Sequence, residues 1–252
     1  MDTQQQILQY VLRLGDNALI SGHRLGEWCS NAPILEEDLA LTNFALDYIG
    51  RAENLYQYAS KLENKGHNED FFAYRRSERD FQNHLLVELP NNNFADTMAR
   101  LWFFSLYEYY FYSELCNSHD ETLAAIAQKA IKEIKYHLKH TKEWVLRLGD
   151  GTSESHYKMQ KAINDYWMYT GELFEMDTID HEILNLGIGI NPQNIYSLWL
   201  KDVRDTLNEA QLQIPEDNYM QTGGKKGIHT EFLGFILADM QYLQRAYPDA
   251  QW

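Results

Sequence analysis

Apolar residues along this chain recur three and four positions apart, so the pattern predicts helices almost throughout. From Leu41, the series Leu41, Ala45, Tyr48, Ala52, Leu55, Ala59 and Leu62 falls on one face of a long helix. Pro33 stands near its start, where a missing N–H does no harm. Asn93 precedes a second segment in which Met98, Leu101, Trp102, Ser105, Glu108, Tyr109 and Tyr112 share a side. Ser118 and Glu121 have the spacing of a capping box opening a third helix. Its inner stripe is Leu123, Ala127, Ala130, Ile134, Leu138, Thr141 and Val145, and Gly149-Asp150-Gly151 stops it. Further helices are predicted over about 4–28, over about 154–174, from Asn191-Pro192 onward, and over about 230–247. Only 85–89 reads as a short strand. The polar loops 63–70 and 91–93 are too poor in Pro and Gly to divide the chain. The expectation is one all-α domain over 1–252, a bundle of long helices with shorter ones appended.

Composition narrows the partners more than the fold. The 22 basic and 37 acidic residues leave a net charge of −15, which argues against a nucleic-acid or anionic-membrane surface. Cys29 and Cys116 make neither a disulfide framework nor a four-ligand zinc site. The opening MDTQQQILQY lacks a basic and apolar leader. The most apolar run, 101–115, is too short and too polar to cross a bilayer. A cytoplasmic protein is expected.

Helical bundles often hold metals, and the di-iron pattern needs Glu-x-x-His, which sets carboxylate and imidazole on one face. No Glu or Asp here has His three residues on. Glu63 with His67, and Glu133 with His137, are spaced by four. Solvated charge at a helix end accounts for the first pair, and surface salt bridging for Glu133 and His140. No G-x-S-x-G elbow occurs, and neither cysteine has the context of a thiolate nucleophile. TGGKKGIHTE, 222–231, resembles an anion-binding glycine loop before a helix without matching a P-loop. An ordinary connector and a contact for an anionic ligand or partner both fit it. The aromatic stretch from Trp102 to Tyr112 reads as core or interface, because its rings point around several sides of a helix.

Six segments carry a resemblance: YVLRLGDN (10–17), RLGEW (24–28), NFADT (93–97), AIKE (130–133), GGKKG (223–227) and MQYLQR (240–245). In this order they resemble the C subunits of the bacterial phenylacetyl-CoA epoxidase complex, a multicomponent monooxygenase of phenylacetate degradation. The likeness runs from about residue 10 to the end of the chain. It implies a ferritin-like helical bundle with additional C-terminal helices. It also implies a non-catalytic, structural role beside a di-iron catalytic subunit of related fold. Set beside that relative's Asp-Glu-Ala-Gly-His helix, this chain reads Asp47-Tyr48-Ile49-Gly50-Arg51. Tyr48 then stands for the Glu and Arg51 for the His. Near the second Glu-x-x-His the His is kept as His137, but Ile134 replaces the Glu. The lone acidic ligand between them falls on Ser105.

The resemblance therefore implies no catalytic residue and no metal or other cofactor in this chain. Di-iron would sit in the partner subunit, with NADPH electrons arriving through a separate reductase. Expected partners are that subunit, phenylacetyl-CoA at the assembled complex, and a second copy when the chain is alone. Lys225 and Lys226 are the expected contact for CoA or the partner. An Arg51–carboxylate network, with Glu108 or Asp47, is expected where the relative keeps its irons. The alternative is a catalytic di-iron oxygenase with atypical ligands Glu108, Glu133 and His137. An iron-storage role fits worse, since storage also needs a carboxylate-rich centre.

Overall fold

The computed structural model describes residues 2–216, 219–248 and 250, and among these it is all-α, as the periodicity requires. No described helix is long and apolar enough to cross a membrane. The chain forms two compact units, one from 1–89 with 223–252 and the other from 90–222.

The first unit is built on a helical hairpin. Helix α1 (Thr3–Gly26) opens on the Asp2 carboxylate, which accepts from the Gln5 N–H at 2.8 Å. Helix α2 (Leu35–Glu63) follows a short loop and buries Leu41, Phe44, Tyr48, Leu55 and Tyr56. It ends at Asn64 in the left-handed conformation. The two helices meet closely where Gly15 leaves room for a ring: a Cβ there would lie 2.5 Å from Cε1 of Tyr56. Helix α3 (Glu69–Tyr74) is capped by Asn68 and comes next, followed by 3₁₀ turns at 78–80 and 85–88.

The second unit centres on α4 (Phe94–Leu115) and α5 (Glu121–Gly149). Helix α6 (Ser153–Trp167), α7 (Thr178–Asn185) and α8 (Pro192–Glu209) complete it. Helix α4 is apolar on several sides because several neighbours cover it. Trp102 and Phe103 are fully buried, and the Trp199 indole of α8 donates to the Phe103 carbonyl at 3.1 Å. Most of the aromatic stretch is thus core, as its pattern suggested, with Tyr109 and Tyr110 only half-buried. Helix α9 (Glu231–Ala246) returns the chain to the first unit, where Gln241 donates to the carbonyls of Ala73 and Arg76.

Several local expectations are corrected. Residues 85–89 are a 3₁₀ turn and no strand, since Leu85, Leu86, Val87 and Leu89 are all buried and present no alternating face. Asp120 caps α5 in place of Ser118, whose hydroxyl instead donates to the Ile188 carbonyl at 2.7 Å. Pro33 does stand near the start of α2, just before Ile34 at the cap position. The run expected over 154–174 breaks at Trp167. The short α3 and α7 had no periodic stretch long enough to announce them. On α5 it is His137 that joins the buried stripe, with Leu138 only half-buried.

Candidate functional site

The positions that the resemblance sets beside a catalytic relative's iron ligands are all buried. Tyr48 and Arg51 lie on the core side of α2 in the first unit, and the Arg51 guanidinium carbon sits 4.8 Å over the Tyr48 ring. Arg51 is therefore buried, as its place one turn beyond Tyr48 suggests. In the second unit, Ser105 on α4 and Ile134 and His137 on α5 are buried. His137 also receives the Thr141 hydroxyl on its carbonyl oxygen at 2.8 Å. A di-iron centre needs hard carboxylate oxygens and imidazoles. A phenol, a guanidinium, a hydroxyl and an aliphatic chain do not fit it. Of the alternative ligands, Glu108 and His137 are buried while Glu133 is partly exposed. Among the described residues, no group of three or more His, Cys, Asp or Glu is placed to share an ion. Glu63 and His67 are paired with each other at 2.6 Å, and the imidazole stacks on Phe71 at 3.4 Å between centroids. That pair is more sheltered than a solvated helix end.

The glycine–lysine loop also stands out in the sequence, and the first unit builds it with care. Gly223 has φ +140 and Gly227 has φ +69, both in the left-handed region that favours glycine. A Cβ on Gly227 would also collide with the Arg79 carbonyl oxygen. Between them a 3₁₀ turn over Gly224–Lys226 leaves Lys226 exposed and Lys225 half-buried.

Beyond the loop, His229 and Thr230 tie the start of α9 to a buried carboxylate. Glu88 accepts from the Thr230 N–H at 2.9 Å, from its hydroxyl at 2.6 Å, and from Asn83 at 2.8 Å. His229 places Nδ1 2.6 Å from Glu88 and Nε2 2.8 Å from the Phe81 carbonyl. Burial alone would lower the His229 pKa, but the bond and charge of Glu88, with the Phe81 carbonyl, raise it above the ordinary value. Both ring nitrogens face acceptors, so the imidazolium suits the site. Arg24 meanwhile donates to the Glu88 carbonyl from Nε at 2.8 Å and from an Nη at 2.6 Å.

The anion that the start of α9 attracts is thus the chain's own Glu88. Lys225 also acts inward: burial chiefly, then Lys225 and Arg13, hold the His84 pKa well below its usual value. No motif or periodicity in the sequence points to Glu88, His84 or His229. The one available signal was His229 just after the glycine loop, and its partner lies 141 positions away.

Known proteins agree with the sequence resemblance. The C subunit of the 1,2-phenylacetyl-CoA epoxidase of Escherichia coli (strain K12) is 50% identical over 247 residues, covering 98% of this chain and 99% of that protein. The family described as phenylacetic acid catabolic protein matches residues 1–252. On this full-length match, the chain belongs to the phenylacetic acid catabolic protein family.

Proposed function

We propose that this chain is a non-catalytic structural subunit of a phenylacetyl-CoA epoxidase, holding the helices of the di-iron subunit that epoxidises the substrate. The observation that carries this reading is the set of buried side chains Tyr48, Arg51, Ser105 and Ile134, which cannot replace carboxylate and imidazole ligands. The identity to an epoxidase subunit supports the same assignment. Iron analysis after aerobic loading with ferrous ion tests it. The expected result is substoichiometric iron in the purified chain. A full di-iron complement with a bridged-site absorbance would favour the alternative centred on Glu108, Glu133 and His137.

In this reading, Lys225 and Lys226 contact the phosphates of the CoA ester or the partner subunit. Two adjacent cations on a shaped loop of an acidic chain favour such a role. Replacing both with Ala should weaken assembly or raise the Michaelis constant for the CoA ester. If the double variant assembles and turns over like the wild type, the loop is only a connector.

A further inference from the structure

The second unit holds a cavity that no part of the proposed function uses. It lies between the end of α6, the 3₁₀ turn over Gly171–Phe174 and the first turns of α8, and its volume is about 430 Å³. Small-molecule pockets typically measure about 300–1,000 Å³ and have apolar and aromatic walls with few polar groups. The walls here are of that kind. Trp167 and Trp199 stack at 5.8 Å between centroids, and Phe174 meets Trp199 edge to face at 5.2 Å. Tyr196, the most exposed of these rings, meets Phe174 edge to face at 4.9 Å. Gly171 offers no side chain, and Met220 takes the space beside it: a Cβ there would lie 2.8 Å from Met220 Cγ.

The two indoles differ in one respect that selects a guest. The Trp199 N–H donates to the Phe103 carbonyl at 3.1 Å. The Trp167 side chain is nearly as enclosed, at 4% exposure, yet its N–H meets no acceptor among the described residues. A buried indole N–H ordinarily finds a partner. A guest oxygen beside Trp167 supplies one, whereas an alkyl group or an ammonium, which has no lone pair to offer, does not. That nitrogen is closed off from solvent, so a guest reaches it by shifting a wall side chain, and Met220, an unbranched thioether, is suited to give way. The described lining residues include no Lys, Arg or His, and their one acid is Glu175. An anionic guest would lose its hydration beside a like charge and gain no counter-charge. The acceptor must therefore be neutral. A flat ring suits the remaining walls, because it adds one more edge-to-face or offset contact to those already present.

We propose that this cavity binds a small, uncharged aromatic molecule bearing a carbonyl or hydroxyl oxygen, which accepts from the Trp167 indole N–H. The site lies within the second unit and does not depend on the chain being a structural subunit.

The test compares four single-ring probes on the full chain. Benzamide is neutral with a carbonyl acceptor, toluene lacks an acceptor, benzoate is an anion and benzylammonium is a cation. Calorimetry gives each Kd, and the indole N–H resonances of the isotope-labelled chain, assigned by through-bond correlation, report contact at Trp167. Benzamide should bind about tenfold tighter than each of the others and shift the Trp167 N–H resonance. Trp167→Phe keeps a ring in the wall but removes the donor, so the advantage of benzamide over toluene should vanish. Tyr196→Ala, at the exposed rim, should weaken benzamide and toluene alike. If Trp167→Phe does not fold, the resonance shift in the wild-type chain decides. Benzamide that binds no tighter than toluene, or that leaves the Trp167 resonance unmoved, overturns the acceptor role. Tightest binding of benzylammonium makes the cavity a cation cage, and tightest binding of benzoate makes it an anion site. Either result overturns the proposal, as does failure of all four probes to bind at millimolar concentration.

Discussion

Asp16 shows how single side chains set the stability of the first unit. Its carboxylate is fully buried and accepts from the Tyr56 hydroxyl at 2.7 Å, from the Gln82 N–H at 2.8 Å, and from Arg76. Arg76 also lies 4.2 Å over the Phe81 ring, so its charge is held between a carboxylate and an aromatic face. Removing one partner of a buried pair leaves the other charge uncompensated. Arg76→Met should therefore cost about 3–5 kcal/mol in urea unfolding. Tyr56→Phe deletes one of several bonds to the same carboxylate and should cost about 1 kcal/mol. If the Arg76 variant lost no more than the Tyr56 variant, Asp16 would have to find another partner. Two histidines nearby give this unit opposite pH limbs. The pKa of His229 is raised, so its contribution is complete below about 6.5 and is lost as pH rises through the folded value. The pKa of His84 is lowered, so the fold is disfavoured as pH falls below about 6.5 toward the folded value. Stability measured against pH should show His229→Gln flattening the alkaline limb and leaving the acid limb in place.

At the scale of elements, the close crossing of α1 and α2 reverses the usual effect of a helical glycine. Gly→Ala inside a helix ordinarily stabilises by about 1 kcal/mol. At Gly15 the added methyl would overlap the Tyr56 ring, and that ring is pinned by Asp16 and Arg76. Gly15→Ala should instead destabilise by about 1–3 kcal/mol, the range for overpacking a core. A stabilised variant would mean that the hairpin opens freely at this point. The sequence makes the long helices legible because each buries a stripe over many turns. Asn93, Asn191 and Pro192 mark their starts as expected, each Asn accepting from N–H groups of the first turn. What it hides are choices made by distant neighbours. Ser118 is drawn from its cap by Ile188, and α3 is fixed by Asn68 and by Gln241 from the far end of the chain. The interior positions Tyr48, Arg51, Ser105 and Ile134 were readable, because apolar periodicity placed them inward. The Glu88–His229 pair was not, since no local pattern connects residues so far apart.

For the whole molecule, the net charge of −15 acts before any contact forms. A strongly acidic chain repels its own copies and speeds encounter with a basic surface, and both effects shrink as salt screens them. Charges at the border of an interface mainly change association rates, while buried apolar contacts mainly change dissociation rates. On the proposed reading as an epoxidase subunit, association with the iron-bearing subunit should therefore slow about tenfold or more when salt rises from low to molar concentration, with dissociation little changed. Stopped-flow mixing of the two purified subunits across a salt series separates these effects. An association rate that does not respond to salt would show that the chain's net charge of −15 plays no part in finding the partner.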